Sequence, residues 1–264
     1  MDHGSLEAAA TFLAAHRDKG IKISAFPDGC TPPDEATAYE VQAALHDLLT
    51  RQNLGPRIGW KVGCTTETMQ TYLGIDHPCA GGLFKKRVQL NRGAFAARSL
   101  CQAGVECEIA VITGPEISAK MGPFDIDKIA GYVDCICVAI ELVDNRYEDW
   151  SKLGVPGLVA DDFFQAGAVL GRPIKDWRNL DLTGLTGKLE VNGKSHGAGV
   201  SSDILGHPLR ALAWLAHHLT GSGKVMPAGS VVLLGSLVQT AWLEPGDSAS
   251  ISIESLGEVS LSVQ

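Results

Sequence analysis

The strongest constraint in this chain is a nine-residue run, Cys135 to Val143, that is apolar except for one acid, Glu141. A run of that length without alternation predicts a strand buried on both faces. A carboxylate inside it needs a partner, because burying an unpaired charge is costly. Asp144 and Arg146, at the end of the run, are expected to pair with each other and leave Glu141 free. A second strand is predicted over Val105 to Ile112. Alternate residues of a strand share a face, so Glu106 and Glu108 point the same way, with Cα atoms ~6.6 Å apart. Those eight residues taken alone also fit a solvated edge strand. Glu141 changes the balance, since three strand-borne acids on otherwise apolar faces call for a compensating charge. A divalent cation supplies it, and hard oxygen ligands select Mg²⁺, Mn²⁺ or Ca²⁺. Open coordination positions on such a cation would suit catalysis.

Lys61 lies between Gly59 and Gly63 on one face of a period-two strand, opposite Ile58, Trp60 and Val62. Neighbours without side chains let a ligand or another backbone come close. A partly desolvated lysine near a cation is expected to have a lowered pKa, which suits acid–base work. A solvated edge lysine fits the same residues equally well, and a Schiff-base lysine is a third reading.

Around these strands the chain divides into two expected parts: an N-terminal helical cap over 1–56 and a strand-rich body over 57–264. Ser5 is the expected cap of a first helix stopped at Gly20. A second helix follows Thr31-Pro32-Pro33-Asp34 and runs to Gly55-Pro56. In the body, a short helix is expected over Thr66 to Tyr72, a hairpin at Asn192-Gly193, and a helix after Pro208. Further strands are expected at Val231 to Leu234, Ala249 to Ile253 and Val259 to Val263. This order lacks the regular strand–helix alternation of a doubly wound sheet. Gly197 and Gly199 are not followed by the rest of a dinucleotide fingerprint. His217 and His218, adjacent on a helix, diverge and read as surface residues.

The net charge of -8 and pI of about 5.4 argue against nucleic acid and against an anionic membrane surface. The first residues do not read as a secretory signal, and no apolar run is long enough to span a bilayer. Seven cysteines, an odd number without any C-x-x-C pair, read as reduced thiols of a cytoplasmic protein.

Taken in order, Gly59-Trp60-Lys61-Val62-Gly63-Cys64-Thr65, Val105-Glu106-Cys107-Glu108-Ile109-Ala110 and Ala139-Ile140-Glu141-Leu142-Val143-Asp144-Asn145-Arg146 resemble a known family. So do Gly206-His207-Pro208, Ala228-Gly229-Ser230 with the following apolar run to Ser236, and Pro245-Gly246-Asp247. The family is that of the 2-keto-4-pentenoate hydratases and the similar 4-oxalocrotonate decarboxylases, within the fumarylacetoacetate hydrolase-like superfamily. The resemblance implies an α+β fold, a mixed β-sandwich roll with N-terminal helices, in a self-associating homo-oligomer. It implies Mg²⁺ or Mn²⁺ on Glu106, Glu108 and Glu141, with Lys61 catalytic. The implied reaction adds water to a 2-hydroxy-2,4-dienoate, by way of its 2-oxo tautomer, to give a 4-hydroxy-2-oxo acid.

The chain departs from that family at two places. Hydratases usually read Val-Ala-Asp-Asn and then small residues, whereas this chain reads Val159-Ala160-Asp161-Asp162-Phe163-Phe164-Gln165. Cys79 stands where the family often has an acid. Cys79, Asp161, Asp162, Phe163 and Ser236 are therefore the expected substrate-side residues, with an apolar wall at Phe163 favouring an uncharged far end. The alternatives are a decarboxylase with the same site, an acylpyruvate C–C hydrolase, and a binding protein that keeps the fold. The hydrolase is disfavoured because no His–Glu pair is visible upstream of the metal strand.

Overall fold

The computed structural model describes residues 1–17 and 19–264, with the backbone alone at residue 53. Helix α1, His3–His16, is capped by Asp2, which accepts from the Ser5 N–H at 2.8 Å. Ser5 is thus the donor to the cap rather than the cap. Helix α2, Glu35–Leu49, is capped by Asp34 as expected and runs into a wider π-type turn, Thr50–Leu54. Strand β1 spans Arg57–Gly63, and α3, Glu67–Leu73, starts at its Thr66 cap and stops at left-handed Gly74.

Next come β2 (Cys79–Phe84), β3 (Val88–Leu90), β4 (Arg92–Phe95), β5 (Ala103–Thr113), α4 (Ile126–Ala130) and β6 (Val133–Asp144). Then α5 (Gly154–Ala160) and β7 (Gln165–Leu170) precede the β8–β9 hairpin, Thr186–Val191 and Lys194–Val200. That hairpin turns on left-handed Asn192 and Gly193. The chain ends with α6 (Leu209–Gly221), β10 (Val231–Ser236), β11 (Ala241–Trp242), β12 (Ser248–Ile253) and β13 (Gly257–Val263). Strands β2, β3, β4, β7 and β11 and helices α4 and α5 are not among the elements expected from the sequence. β2 reads Cys-Ala-Gly-Gly-Leu-Phe and is buried throughout, so it has no alternation to detect.

The larger sheet runs β2-β1-β10-β5-β6-β7-β3, with β11 added along β5. The smaller runs β4-β13-β12-β8-β9 and packs against β5, β6 and β7. Between them lies the main core, where Ile136, Val138, Ile140 and Leu142 of β6 meet Leu189, Ile251, Val259 and Leu261. The other face of β6 lies inside the curl of the larger sheet. There Cys137, Ala139, Ala110 and Ala168 pack with Leu83 and Leu233. The curl is tight enough that β2 also contacts β7. Small side chains suit such an interior, and at one end of it they give way to the acids. Helices α1 and α2 pack on each other, and α2 packs on α5. This second core includes Cys64, Cys79, Phe84, Tyr147 and Phe163 of the body. None of the helices among the described residues is long and apolar enough to cross a membrane.

Candidate active site

Glu106 and Glu141 are directly opposite each other in the β5–β6 ladder, and Glu108 is the next residue on the same face. Like charges so placed repel. Carboxylate oxygens of all three lie within 4.8 Å of one another, with Glu108 and Glu141 buried. Glu106 accepts from the Thr240 hydroxyl at 2.6 Å and Glu108 from the Gly235 N–H at 2.8 Å. Gly235 supplies that N–H at a register break in β10, with φ of 117°, a conformation that favours glycine. Glu108 Oε1 and both oxygens of Glu141 remain buried without a hydrogen-bond partner. Orphaned, converging, hard oxygens fit a divalent cation.

Lys61 Nζ lies 3.3 Å from Glu141 Oε1, with both side chains buried. At that separation the two form a buried ion pair. β10 and β5 separate β1 from β6, three strand spacings or about 14 Å on a flat sheet. The curl closes that distance. The two glycines flanking Lys61 do different things. A Cβ on Gly59 would collide with the Val231 backbone of β10. A Cβ on Gly63 would lie 3.2 Å from Lys61 Nζ and 3.9 Å from the Phe163 ring, crowding the lysine itself.

On the protein's charges alone, burial first and then its acidic neighbours raise the Glu108 carboxyl well above its usual value. Burial pushes Glu141 up to about 7, with Lys61 opposing. Burial alone would lower the Lys61 ammonium, but Glu141, Glu106 and Glu108 outweigh it and raise it. This reverses the lowering expected from sequence, which assumed a cation neutralising those acids.

Phe163 covers this end of the roll, its ring centroid 5.5 Å from Lys61 Nζ. Asp162, Phe163 and Phe164 all have positive φ, a conformation costing about 1–3 kcal/mol per non-glycine residue. The preceding charges hold the turn. Asp161 accepts from Arg17 at 2.7 Å, Arg146 at 2.7 Å and the Tyr147 hydroxyl at 2.9 Å. Asp162 meets His46 at 2.6 Å, the Gly82 N–H at 2.8 Å and Arg17 at 2.8 Å. All four carboxylate oxygens are engaged. Burial would raise Asp162, but His46, Arg17 and the Gly82 N–H depress it far below the usual carboxylate range. Arg146 therefore pairs with Asp161, not Asp144. Asp144 instead accepts from the Cys101 and Gln102 N–H groups.

Cys79 pairs with Gly63 in the β1–β2 ladder and is buried. Ser236 stands opposite Glu108 in the β10–β5 ladder, and its hydroxyl donates to the Val238 carbonyl at 2.7 Å. A His–Glu pair does precede the metal strand: His77 Nε2 lies 3.5 Å from Glu35 Oε1. Sequence inspection missed it because 42 residues separate the two. Thr240, Gly235, Arg17 and His46 were missed for the same reason, since their partners lie more than 100 residues away in the chain. His207 accepts from the Leu209 N–H at the start of α6. His217 accepts from the Phe124 N–H, and His218 stacks on Trp214.

Residues 84–264 match the family described as fumarylacetoacetate (FAA) hydrolase C-terminal, and the chain belongs to that family. It is 33% identical to a 2-keto-4-pentenoate hydratase of Burkholderia vietnamiensis (strain G4 / LMG 22486), over 98% of this chain and 97% of that one. It is 29% identical to a 4-oxalocrotonate decarboxylase of Pseudomonas putida, over 85% of this chain and 84% of that one. Among solved structures, the 4-oxalocrotonate decarboxylase from Pseudomonas putida G7, complexed with magnesium and adipate, superposes with a TM-score of 0.92. It covers 100% of this chain and 99% of its own, at 24% identity. The α+β roll expected from the resemblance is the fold observed.

Proposed function

We propose that this protein is a divalent-cation-dependent hydratase, converting a 2-hydroxy-2,4-dienoate into a 4-hydroxy-2-oxo acid. The observation that carries the reading is the set of orphaned oxygens on Glu108 and Glu141 beside Lys61. The similarity to a 2-keto-4-pentenoate hydratase supplies the substrate class. Glu106, Glu108 and Glu141 would hold the cation, Mg²⁺ or Mn²⁺, whose charge when bound favours negative charge developing on the substrate 2-oxygen. Lys61 moves the proton that converts the dienol into the conjugated 2-oxo-3-enoate, and water then adds at C4. Phe163 and the turn beneath it exclude bulk water from Lys61 and wall the far end of the substrate with an uncharged surface. Such a wall disfavours a second carboxylate, because that group would lose hydration without gaining a partner.

The test follows loss of the dienoate chromophore from 2-hydroxypenta-2,4-dienoate, with chelator-treated and Mg²⁺-restored protein, and identifies the product. Turnover only with the cation supports the reading. CO₂ release from the 5-carboxy analogue, without hydration of the monocarboxylate, would replace it with the decarboxylase. Seven free cysteines fit a reducing, cytoplasmic setting. A homo-oligomer is part of the same proposal, to be measured by sedimentation.

A further inference from the structure

Glu35, His77 and Cys79 form a second cluster of donor atoms, built from elements other than those carrying the three strand acids. One carboxylate oxygen, one ring nitrogen and the thiol sulfur lie within 4.8 Å of one another. Glu35 opens α2, His77 lies in the loop after α3, and Cys79 begins β2. The His77 ring is already oriented. Its Nδ1 lies 2.9 Å from the Pro78 carbonyl, an acceptor, so Nδ1 carries the hydrogen. Nε2 is then the free coordinating nitrogen, and it faces the Glu35 carboxylate at 3.5 Å. A backbone carbonyl fixing one ring nitrogen while the other meets a cation is the usual support of a histidine ligand.

The thiol is the buried member. Cys79 has no exposed surface, and it sits in the same buried cluster as Cys64. Cys64 has a φ of 56°, unusual for a residue other than glycine. Glu35 and His77 line an open cleft with Tyr39, Trp214 and Lys224.

We infer that Glu35, His77 and Cys79 form a binding site for a thiophilic divalent cation of the Zn²⁺ class, separate from the three-glutamate cluster. Mixed sulfur, nitrogen and oxygen donors select a borderline cation such as Zn²⁺ or Co²⁺, whereas three carboxylates select a hard one. On binding, the Cys79 thiol releases its proton to solvent. The site stands on its own donors and does not depend on the hydratase reading.

The probe is Co²⁺ titrated into reduced, full-length protein held in excess Mg²⁺, followed by absorbance. The expected result is a near-ultraviolet thiolate-to-cobalt charge-transfer band that saturates at one equivalent and disappears on adding Zn²⁺. It should be lost in Cys79→Ser, weakened by at least about tenfold in affinity in His77→Ala, and unchanged in Cys101→Ser and Glu108→Gln. Cobalt uptake without a sulfur band, or an undiminished band in Cys79→Ser, would overturn the site. So would no uptake at all, which would reduce Glu35 and His77 to an ion pair. Circular dichroism and melting of each variant separate loss of the site from loss of the fold.

Discussion

The protein buries two groups of acids within one domain-sized body and treats them in opposite ways. Asp161 and Asp162 are surrounded by Arg17, Arg146, His46, Tyr147 and the Gly82 N–H, and every carboxylate oxygen has a donor. Glu108 and Glu141 are equally buried yet leave three oxygens without one. The first group is complete as the chain provides it, and its charges hold a left-handed turn in place. The second is incomplete, and its only cation among the described side chains is Lys61, shared by three acids. A closed buried network stabilises geometry, while an open one stores the potential to bind a charge. Burial alone therefore does not separate structural acids from functional ones; the count of satisfied oxygens does.

Substitutions should pull the two groups apart. Glu108→Gln is expected to lower kcat/KM by ~10³-fold or more, since cation stabilisation of developing charge is worth several kcal/mol. The same change should leave the melting temperature of chelator-treated protein equal or higher, because it removes a buried repulsion. A variant that melts lower and keeps its activity would erase the contrast. Lys61→Met should reduce kcat by ~10²–10⁴-fold while calorimetric Mg²⁺ affinity is retained, the range for an acid–base group. Near-normal turnover would make Lys61 only a counter-charge.

Asp162→Asn should show the converse pattern. Removing one partner of a buried charge network costs ~3–5 kcal/mol of stability, read from denaturant unfolding. Mg²⁺ affinity of the folded fraction should stay close to that of the parent. Smaller still is a difference in pH response. Glu141 is raised from 4.5 to about 7, so the folded state holds more protons across that window, and stability of chelator-treated protein should fall as pH rises through it. Asp162 is depressed below 3.8, so its contribution is present above that value and is lost as pH falls below it. Excess Mg²⁺ should flatten the upper limb only, and Asp162→Asn the lower limb only. The smallest expected effect is at Phe163→Ser, which should shift the kcat/KM ratio between the monocarboxylate dienoate and its 5-carboxy analogue by about tenfold toward the latter. An unchanged ratio would remove Phe163 from the substrate wall.

The acid cluster was legible because strand periodicity is local. Glu106 and Glu108 had to share a face, and Glu141 had to be buried, whatever the topology. The Asp161–Asp162 network was not legible, since Arg17 and His46 reach it from the N-terminal helices, 144 and 116 residues away. The expected Asp144–Arg146 pair failed for the same reason. Nearness in sequence suggested it, but strand β6 ends with Asp144 turned to the Cys101 and Gln102 amides while Arg146 turns to Asp161.

What the sequence determined by itself was which residues carry charge on which strand face, because alternation and burial are properties of a strand before it finds neighbours. Gly63 beside Lys61 belongs with these, since leaving out a side chain keeps space open under any packing. Only the tertiary structure decided that Lys61 reaches Glu141 across two intervening strands, that Gly235 bends β10 to satisfy one oxygen of Glu108, and that Glu35 and His77 meet above Cys79. Each depends on how far the larger sheet curls and where the helices dock. Those outcomes follow from the packing of many apolar side chains at once, and no local spacing records them.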